Sequence, residues 1–494
     1  MRALHLQLAT ATLALSFTAT ARAETPLQSY WDNDFVLASE DDAFHLDVRG
    51  NVHFDARFYQ GENVGAPDSF DLRRARIDLR GRVHRWFSFR VQPELAGQPY
   101  IRNAWMDAGP VDLFHVRAGQ MKVPLSSSWL TLDNNINFIE RATSTPLHPF
   151  FDRGLLLWGE LLGGVSIYDF GMFTGAGTDS DYTAGDVDSH PEFAGRLLLQ
   201  PFRTVDCKPL QGLYLAAAET YTKMSVPTSR YELGGLRSAN YETAIWRWRT
   251  NQTFGTDGRV TDQLAARIGS RSRVVGEVHY LLGPFALSAE YLRLHYRDIN
   301  VYHDLVVGSS RRVHQRLFQT SGTIRSLSVW ASVYVTGESN KLVHEGWKTA
   351  KPKGNFGEGG CGAIEVLGRY SRTDTDPELF RGRSVSGFTP TSRALPAGYA
   401  QGTPGAAHSL QAAVLDGAHG VHEATFGLSW TLNPMVKLML NDVLLWAPSD
   451  DRDGDGESDN YLLSGGKSNQ ADPNLLGRKT SWENAVMGRF ILKL

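Results

Sequence analysis

The residues that could do chemistry gather early in the chain. From Arg74 to Arg82 every second position is ionised: Arg74, Arg76, Asp78, Arg80 and Arg82. Four guanidiniums against one carboxylate form a row that attracts anions. One such contact at about 4 Å is worth roughly 4 kcal/mol at an effective dielectric of 20, before desolvation. Several shallow sites in series let an anion move on where one deep site would trap it. Arg90 and Arg117 fall on polar positions nearby, whereas Arg49 and Arg57 are offset by Asp47 and Asp55. Further cations with the same spacing logic are Arg271, Arg273, Lys437, Arg489 and Lys493.

Other chemistry is thinly represented. Asp451, Asp453 and Asp455 open like a calcium loop, but its twelfth position is Leu462 and no helices flank it, so a solvated acidic loop is the plainer reading. The 15 His residues show no HExxH spacing, and no Gly-x-Ser-x-Gly elbow is present. Cys207 and Cys361 are far apart and have no ligand spacing. No enzyme activity and no cofactor are expected. Trp246 and Trp248 flank Arg247 in a stretch, Lys223–Arg273, that matches no motif. Sugar stacking would need a line of inward-facing aromatics, and the first two polar faces carry none.

The elements that must position the basic row are long strands. From Phe44 to Tyr59 apolar and ionisable residues alternate: Phe44, Leu46, Val48, Val52, Phe54 and Phe58 against His45, Asp47, Arg49, His53, Asp55 and Arg57. Period two over that length describes a strand with one greasy and one wet face. The pattern recurs to give sixteen candidate strands, and no stretch reads as an ordinary amphipathic helix. Short links (Gly283-Pro284, Asn433-Pro434) alternate with long polar ones (Leu125–Arg153, Lys223–Arg273, Thr373–His422, Ala447–Trp482). Gly337–Cys361 breaks the rule, being long on the short-turn side. Short turns at one end and long loops at the other predict an all-β, transmembrane antiparallel barrel in an outer membrane.

Composition agrees once read this way. A mean hydropathy of −0.29 and 21% charged residues exclude repeated apolar helices of about 20 residues. A net charge of −3 gives no reason to expect nucleic acid. Met1-Arg2, the apolar run Leu4–Thr20 and Ala21-Arg22-Ala23 have the three-part layout of a secretory signal peptide. The expected organisation is a signal peptide over 1–23, a short periplasmic segment over 24–43, and the barrel over 44–494.

Several short motifs, in order, carry a family resemblance. Arg73-Arg74-Ala75-Arg76-Ile77-Asp78-Leu79-Arg80-Gly81 is followed by Val116-Arg117-Ala118-Gly119-Gln120-Met121-Lys122-Val123-Pro124. Ile139-Glu140-Arg141, Asp152-Arg153-Gly154, Ala289-Glu290-Tyr291, Thr336-Gly337-Glu338 and Arg369-Tyr370-Ser371 come next, and then Leu428-Ser429-Trp430-Thr431-Leu432-Asn433-Pro434. Together they resemble the phosphate-selective porin O and P family; Ile364 stands where that family has an aromatic. The resemblance implies a homotrimer of 16-stranded channels in the outer membrane of a Gram-negative bacterium, among lipid and lipopolysaccharide. It also implies a third outer loop folded inward and small anions, including phosphate or polyphosphate, as solutes. The third loop, roughly Leu125–Asp152, would add Arg141, with Lys122 at its entry and Arg153 at its exit, to Arg74, Arg76, Arg80, Arg82, Arg90 and Arg117. A weakly selective or oligosaccharide porin and a scaffold whose long loops bind proteins are the alternatives.

Overall fold

The computed structural model describes residues 26–493 except 33, 62–67, 98, 176–189, 225–234, 239–242, 249–252, 257–259, 308–310, 386–409, 452–455 and 464–478. The expected signal peptide, Asp453 and Asp455 therefore lie outside the described residues.

Sixteen antiparallel strands close into one barrel. They are β1 His45–Gln60, β2 Ser69–His84, β3 Phe87–Glu94, β4 Tyr100–Val111, β5 Phe114–Lys122, β6 Phe151–Leu161, β7 Ser166–Phe173 and β8 Glu192–Leu199. The second half is β9 Leu213–Lys223, β10 Ser270–Leu282, β11 Phe285–Val307, β12 Arg311–Tyr334, β13 Ala363–Thr375, β14 Gly420–Asn433, β15 Val436–Trp446 and β16 Trp482–Lys493. Closure runs from Asn484 against Gln60 to Lys493 against Asn51. Each strand corresponds to one alternating segment of the sequence. Alternation decides the faces: Phe70, Met106 and Phe426 are about 70% exposed on the outside, while Asn51, His53, Asp55 and Arg57 are buried inside. The outer face is the lipid belt that lets a closed sheet satisfy its whole backbone in a bilayer.

An N-terminal hairpin, Leu27–Trp31 with Phe35–Ser39, pairs with the first residues of β1. It continues the sheet below the end of β16 and covers an edge that would otherwise be open.

Two features exceed the alternation pattern. The sequence places strands only over Phe285–His295 and Arg316–Thr336, but β11 and β12 have 23 and 24 residues and pair along nearly all of them. Crossing the hydrocarbon takes about 9–11 residues, so their outer halves project beyond it. There Val260–Arg267 pairs with the projecting half of β11. The second feature is a cap. Leu236–Arg237, Ala244–Trp248, Leu415–Gly417, Leu462–Leu463 and Lys479–Thr480 come from three different long loops and form one small sheet. Its apolar residues Leu236, Ile245, Trp246, Leu415 and Leu462 pack with Leu294, Ile324 and Leu445 of the barrel strands. Trp246 is thus a core residue, its indole N–H donating to Thr375 Oγ1 at 3.1 Å. Trp246→Ala should loosen the cap by about 3 kcal/mol. Hydrogen exchange should rise in residues 410–418 while exchange in β1–β8 stays unchanged.

Candidate functional site: the lumen and its two inward segments

A loop can enter a barrel only if its backbone finds partners there. Residues 123–150 leave β5, run inside the barrel, and return to β6, with Val123, Leu125 and Ile139 fully buried. A short helix, Ser127–Leu130, starts the loop; Ser126 caps it by accepting from the Trp129 N–H. The lumen wall then supplies the partners. Glu277 accepts from the Ser127 N–H at 2.8 Å, and Asn441 Oδ1 from the Ile139 N–H at 2.6 Å. Arg273 donates to the Leu147 carbonyl at 2.7 Å, Arg369 to that of Glu140 at 2.9 Å, and Lys437 to that of Ile136 at 3.3 Å.

Two carboxylates of this loop, absent from the basic-row reading, organise the arginines. Asp133 receives Arg141 at 2.8 Å, Arg74 at 3.3 Å, and Arg76. Glu140 receives Arg57 at 2.8 Å, Arg73 at 3.2 Å and Arg489 at 3.3 Å. Burial alone would push both carboxyls up, but the surrounding guanidiniums outweigh it and hold both below the ordinary range. Arg73 reaches Glu140 from a β-bulge: His53 faces Arg74 and Phe54 faces Leu72, which leaves Arg73 as the extra residue. No periodicity marks it.

A second segment enters from the opposite end. Residues 337–361, the long connection on the short-turn side, carry a hairpin of Lys341–Val343 and Gly346–Lys348. It meets the first loop inside the lumen. The Trp347 N–H donates to Thr131 Oγ1 at 2.9 Å, and Thr349 Oγ1 to Asn135 Oδ1 at 3.2 Å. His344 Nε2 lies 2.6 Å from Asp169 Oδ1. Gly346 sits at φ +90°, where a Cβ would fall 2.5 Å from the Ser127 carbonyl and the Thr131 nitrogen. Only glycine permits that approach. The break in the short-turn rule was the one sequence sign of this segment; its inward course left none.

Against β2–β7 these segments leave an open space lined by Arg76, Arg80, Arg90, Arg117 and Lys122, facing Asp78, Asp133, Asp169 and Glu345. Arg80 and Arg90 share Asp78 at 2.7 and 2.8 Å. Arg117 pairs with Asp107 at 2.8 Å and lies 4.0 Å over the Trp105 ring. Burial raises the Glu345 carboxyl, but Arg80, Arg90 and Arg117 hold it well below its ordinary value. The Lys122 ammonium is bonded to carbonyls, those of Trp129 at 2.7 Å and Thr131 at 2.8 Å, rather than to a carboxylate.

Of the expected residues, Arg76, Arg80, Arg90, Arg117 and Lys122 thus share one space, and Arg74 and Arg141 join it through Asp133. Arg82 stands apart near the turn end, paired with the exposed Asp42. Arg153 is a correction. It falls on the outward parity of β6 with Leu155 and Leu157 and is exposed, because Asp152, not Arg153, takes the inward position there. Arg271 and Arg273 lie on β10, not in a loop, and both bond Glu192. Asp451 accepts from the Gly456 N–H, an ordinary loop contact.

One Ser–His pair invites a catalytic reading. Ser127 Oγ lies 3.2 Å from His279 Nε2, but Glu277 binds the hydroxyl itself, and His279 Nδ1 faces Ser288 Oγ at 2.9 Å. The nearby carboxylate, Glu277 at 3.6 Å, approaches the same Nε2 that faces Ser127, whereas a nucleophile's base is oriented through its other nitrogen. The group anchors the loop.

The family model of phosphate-selective porin O and P matches residues 46–196. Over those residues, under a third of the chain, the sequence resembles that family. The match covers β2, the inward loop and the strands up to β8, where most of the cations described above reside. No curated protein matches the chain in sequence. Among solved structures it is similar to OmpT of Vibrio cholerae in its trimer form, at 9% identity and a TM-score of 0.45, covering 92% of this chain and 100% of that one. It is also similar to the channel DcaP of Acinetobacter baumannii, at 10% identity and a TM-score of 0.43, covering 92% and 99%. Salmonella typhi OmpF, solved with daunomycin, gives 8% identity and a TM-score of 0.44, covering 94% and 100%.

Proposed function

We propose that the chain is an outer-membrane porin, a passive channel that prefers small anions, with phosphate or polyphosphate among its solutes. The observation that carries this reading is the lining of the β2–β7 space: Arg76, Arg80, Arg90, Arg117 and Lys122 meet there, and Lys122 has carbonyl rather than carboxylate partners. Such a cation in a confined, poorly screened passage concentrates anions. The filtering set is Arg76, Arg80, Arg90, Arg117 and Lys122, with Arg74 and Arg141 held back by Asp133. Arg82 acts at the turn-side rim. The chain works as a homotrimer, the form in which the Vibrio cholerae OmpT was solved, embedded among lipid and lipopolysaccharide after removal of a signal peptide over 1–23.

The test is a reversal potential in a planar bilayer under a potassium chloride gradient. Chloride should be favoured over potassium, and added phosphate should lower the chloride current. Arg117→Gln combined with Lys122→Gln should move the potential toward cation preference, since two positive charges leave the lining and Asp107 loses its guanidinium. A wild-type potential favouring potassium would end the proposal.

A further inference from the structure

The inward loop touches the opposite wall as well, and the space there has different chemistry. It is a half-open space between the inward loop and that wall. Its far wall comes from β11, β12 and β13, and no lining residue is shared with the basic side. Its charges balance: Arg141 and Arg369 against Glu140 and Glu290. They are also engaged, Arg369 with Glu423 at 2.9 Å and Glu290 with His148 at 3.2 Å. Nothing there favours an anion.

An aromatic group dominates instead. Phe138 of the loop, Trp330 of β12 and Trp347 of the turn-side segment all line the space. Trp330 lies 4.7 Å from Trp347 and 6.5 Å from Phe138, ring centre to ring centre. Around them stand fixed neutral polar groups. Ser288 Oγ is held by His279 at 2.9 Å, Ser328 Oγ by Ser371 at 3.0 Å, and Asn137 by Glu365 at 3.1 Å. A hydroxyl offers one donor and two acceptor sites, so one protein bond leaves each serine with capacity to spare. Among the described residues, the buried indole N–H of Trp347 and the Nε of Arg369 have no hydrogen-bond partner. A buried donor left unmade is costly and marks a place where a ligand or water completes the set.

We propose that this second space is a binding site for a neutral cyclic polyol, a pyranose sugar. Its apolar ring face would stack on Trp330, with Phe138 at the edge of the site. Its hydroxyls would meet Ser288, Ser328, Asn137 and the Trp347 indole N–H. The inward loop then acts as a partition, with an anion passage on one side and a sugar site on the other. The two readings stand on separate residues, so either can fail alone.

The test uses the full porin in a planar bilayer and in detergent, titrated with glucose, maltose and sorbitol, the last being polyhydroxylated but acyclic. Glucose or maltose should shift the tryptophan emission at concentrations where sorbitol does not, with the chloride conductance unchanged because the anion passage lies on the other side of the loop. Trp330→Ala should weaken the sugar response roughly tenfold, the scale of one lost aromatic contact, and Ser328→Ala should weaken it by a smaller factor. If Trp330→Ala does not assemble, Trp330→Phe with Ser328→Ala serves the same end. No ring-specific response in the wild-type porin overturns the proposal, whatever its ion selectivity. A response that survives every variant unchanged overturns it as well.

Discussion

Asp133→Asn is expected to raise the chloride-to-potassium permeability ratio roughly fivefold, since a unit charge at 4 Å is worth about 1 kcal/mol even in bulk water. The residue is the shared counter-ion of Arg74, Arg76 and Arg141. Removing it leaves three guanidiniums facing the lumen and also unpins the middle of the inward loop, so open-channel noise should increase. Glu140→Gln separates the two effects. It removes one partner from Arg57, Arg73 and Arg489 beside the closure of the barrel, where Arg57 and Arg489 keep Asp55 at 2.9 and 2.6 Å, and losing one partner of a buried ionic set costs about 3 kcal/mol. Its main readout is a lower unfolding midpoint in urea. The sign with pH follows from the depressed carboxyls. Their stabilisation is fully present above the ordinary carboxylate range and is lost only as pH falls through the lowered values. Conductance and noise should therefore be unchanged between pH 7 and about pH 4, near the ordinary carboxylate value.

Replacing residues 341–348 by a short glycine-serine linker should raise single-channel conductance severalfold. The hairpin is the only described segment that reaches the inward loop from the turn side, through Trp347 to Thr131 and through His344 to the β7 wall at Asp169. Without it the lumen keeps one obstruction in place of two. The removal also takes Glu345 from the basic lining, so anion preference should rise with conductance. A variant that conducts like the wild type would mean the hairpin lies beside the path of the ions.

The barrel was legible because a strand must declare its two faces residue by residue. His45 to Gln60 reads as a strand from alternation alone, and β16 reads the same way at the other end. The clamps were not legible. Asp133 and Glu140 sit in a loop with no periodicity, and their importance comes from what the closed barrel brings near them. The sequence showed a row of arginines with one acid, Asp78; the fold supplies the missing acids from a segment some sixty residues later. The cap was hidden for a related reason. Leu236, Ile245, Leu415 and Leu462 are isolated apolar residues in polar loops, and only their convergence makes a core. Arg153 was misplaced because it was read as the exit of the inward loop, where Asp152 turns inward first.

The N-terminal hairpin has a bearing on how the cylinder is sealed. The last strand and the hairpin share one edge of β1, with Lys493 opposite Asn51 and Phe35 opposite Val48. Sheets slip most easily by two residues, the smallest step that keeps every side chain on its own face. Such a slip toward the hairpin would bring Lys493 to Arg49 and the next residue onto Val48, a position Phe35 already holds. The hairpin is therefore an end stop at the seam. It fixes the stagger of the closing pair, and with it the tilt and bore that stagger sets for all sixteen strands.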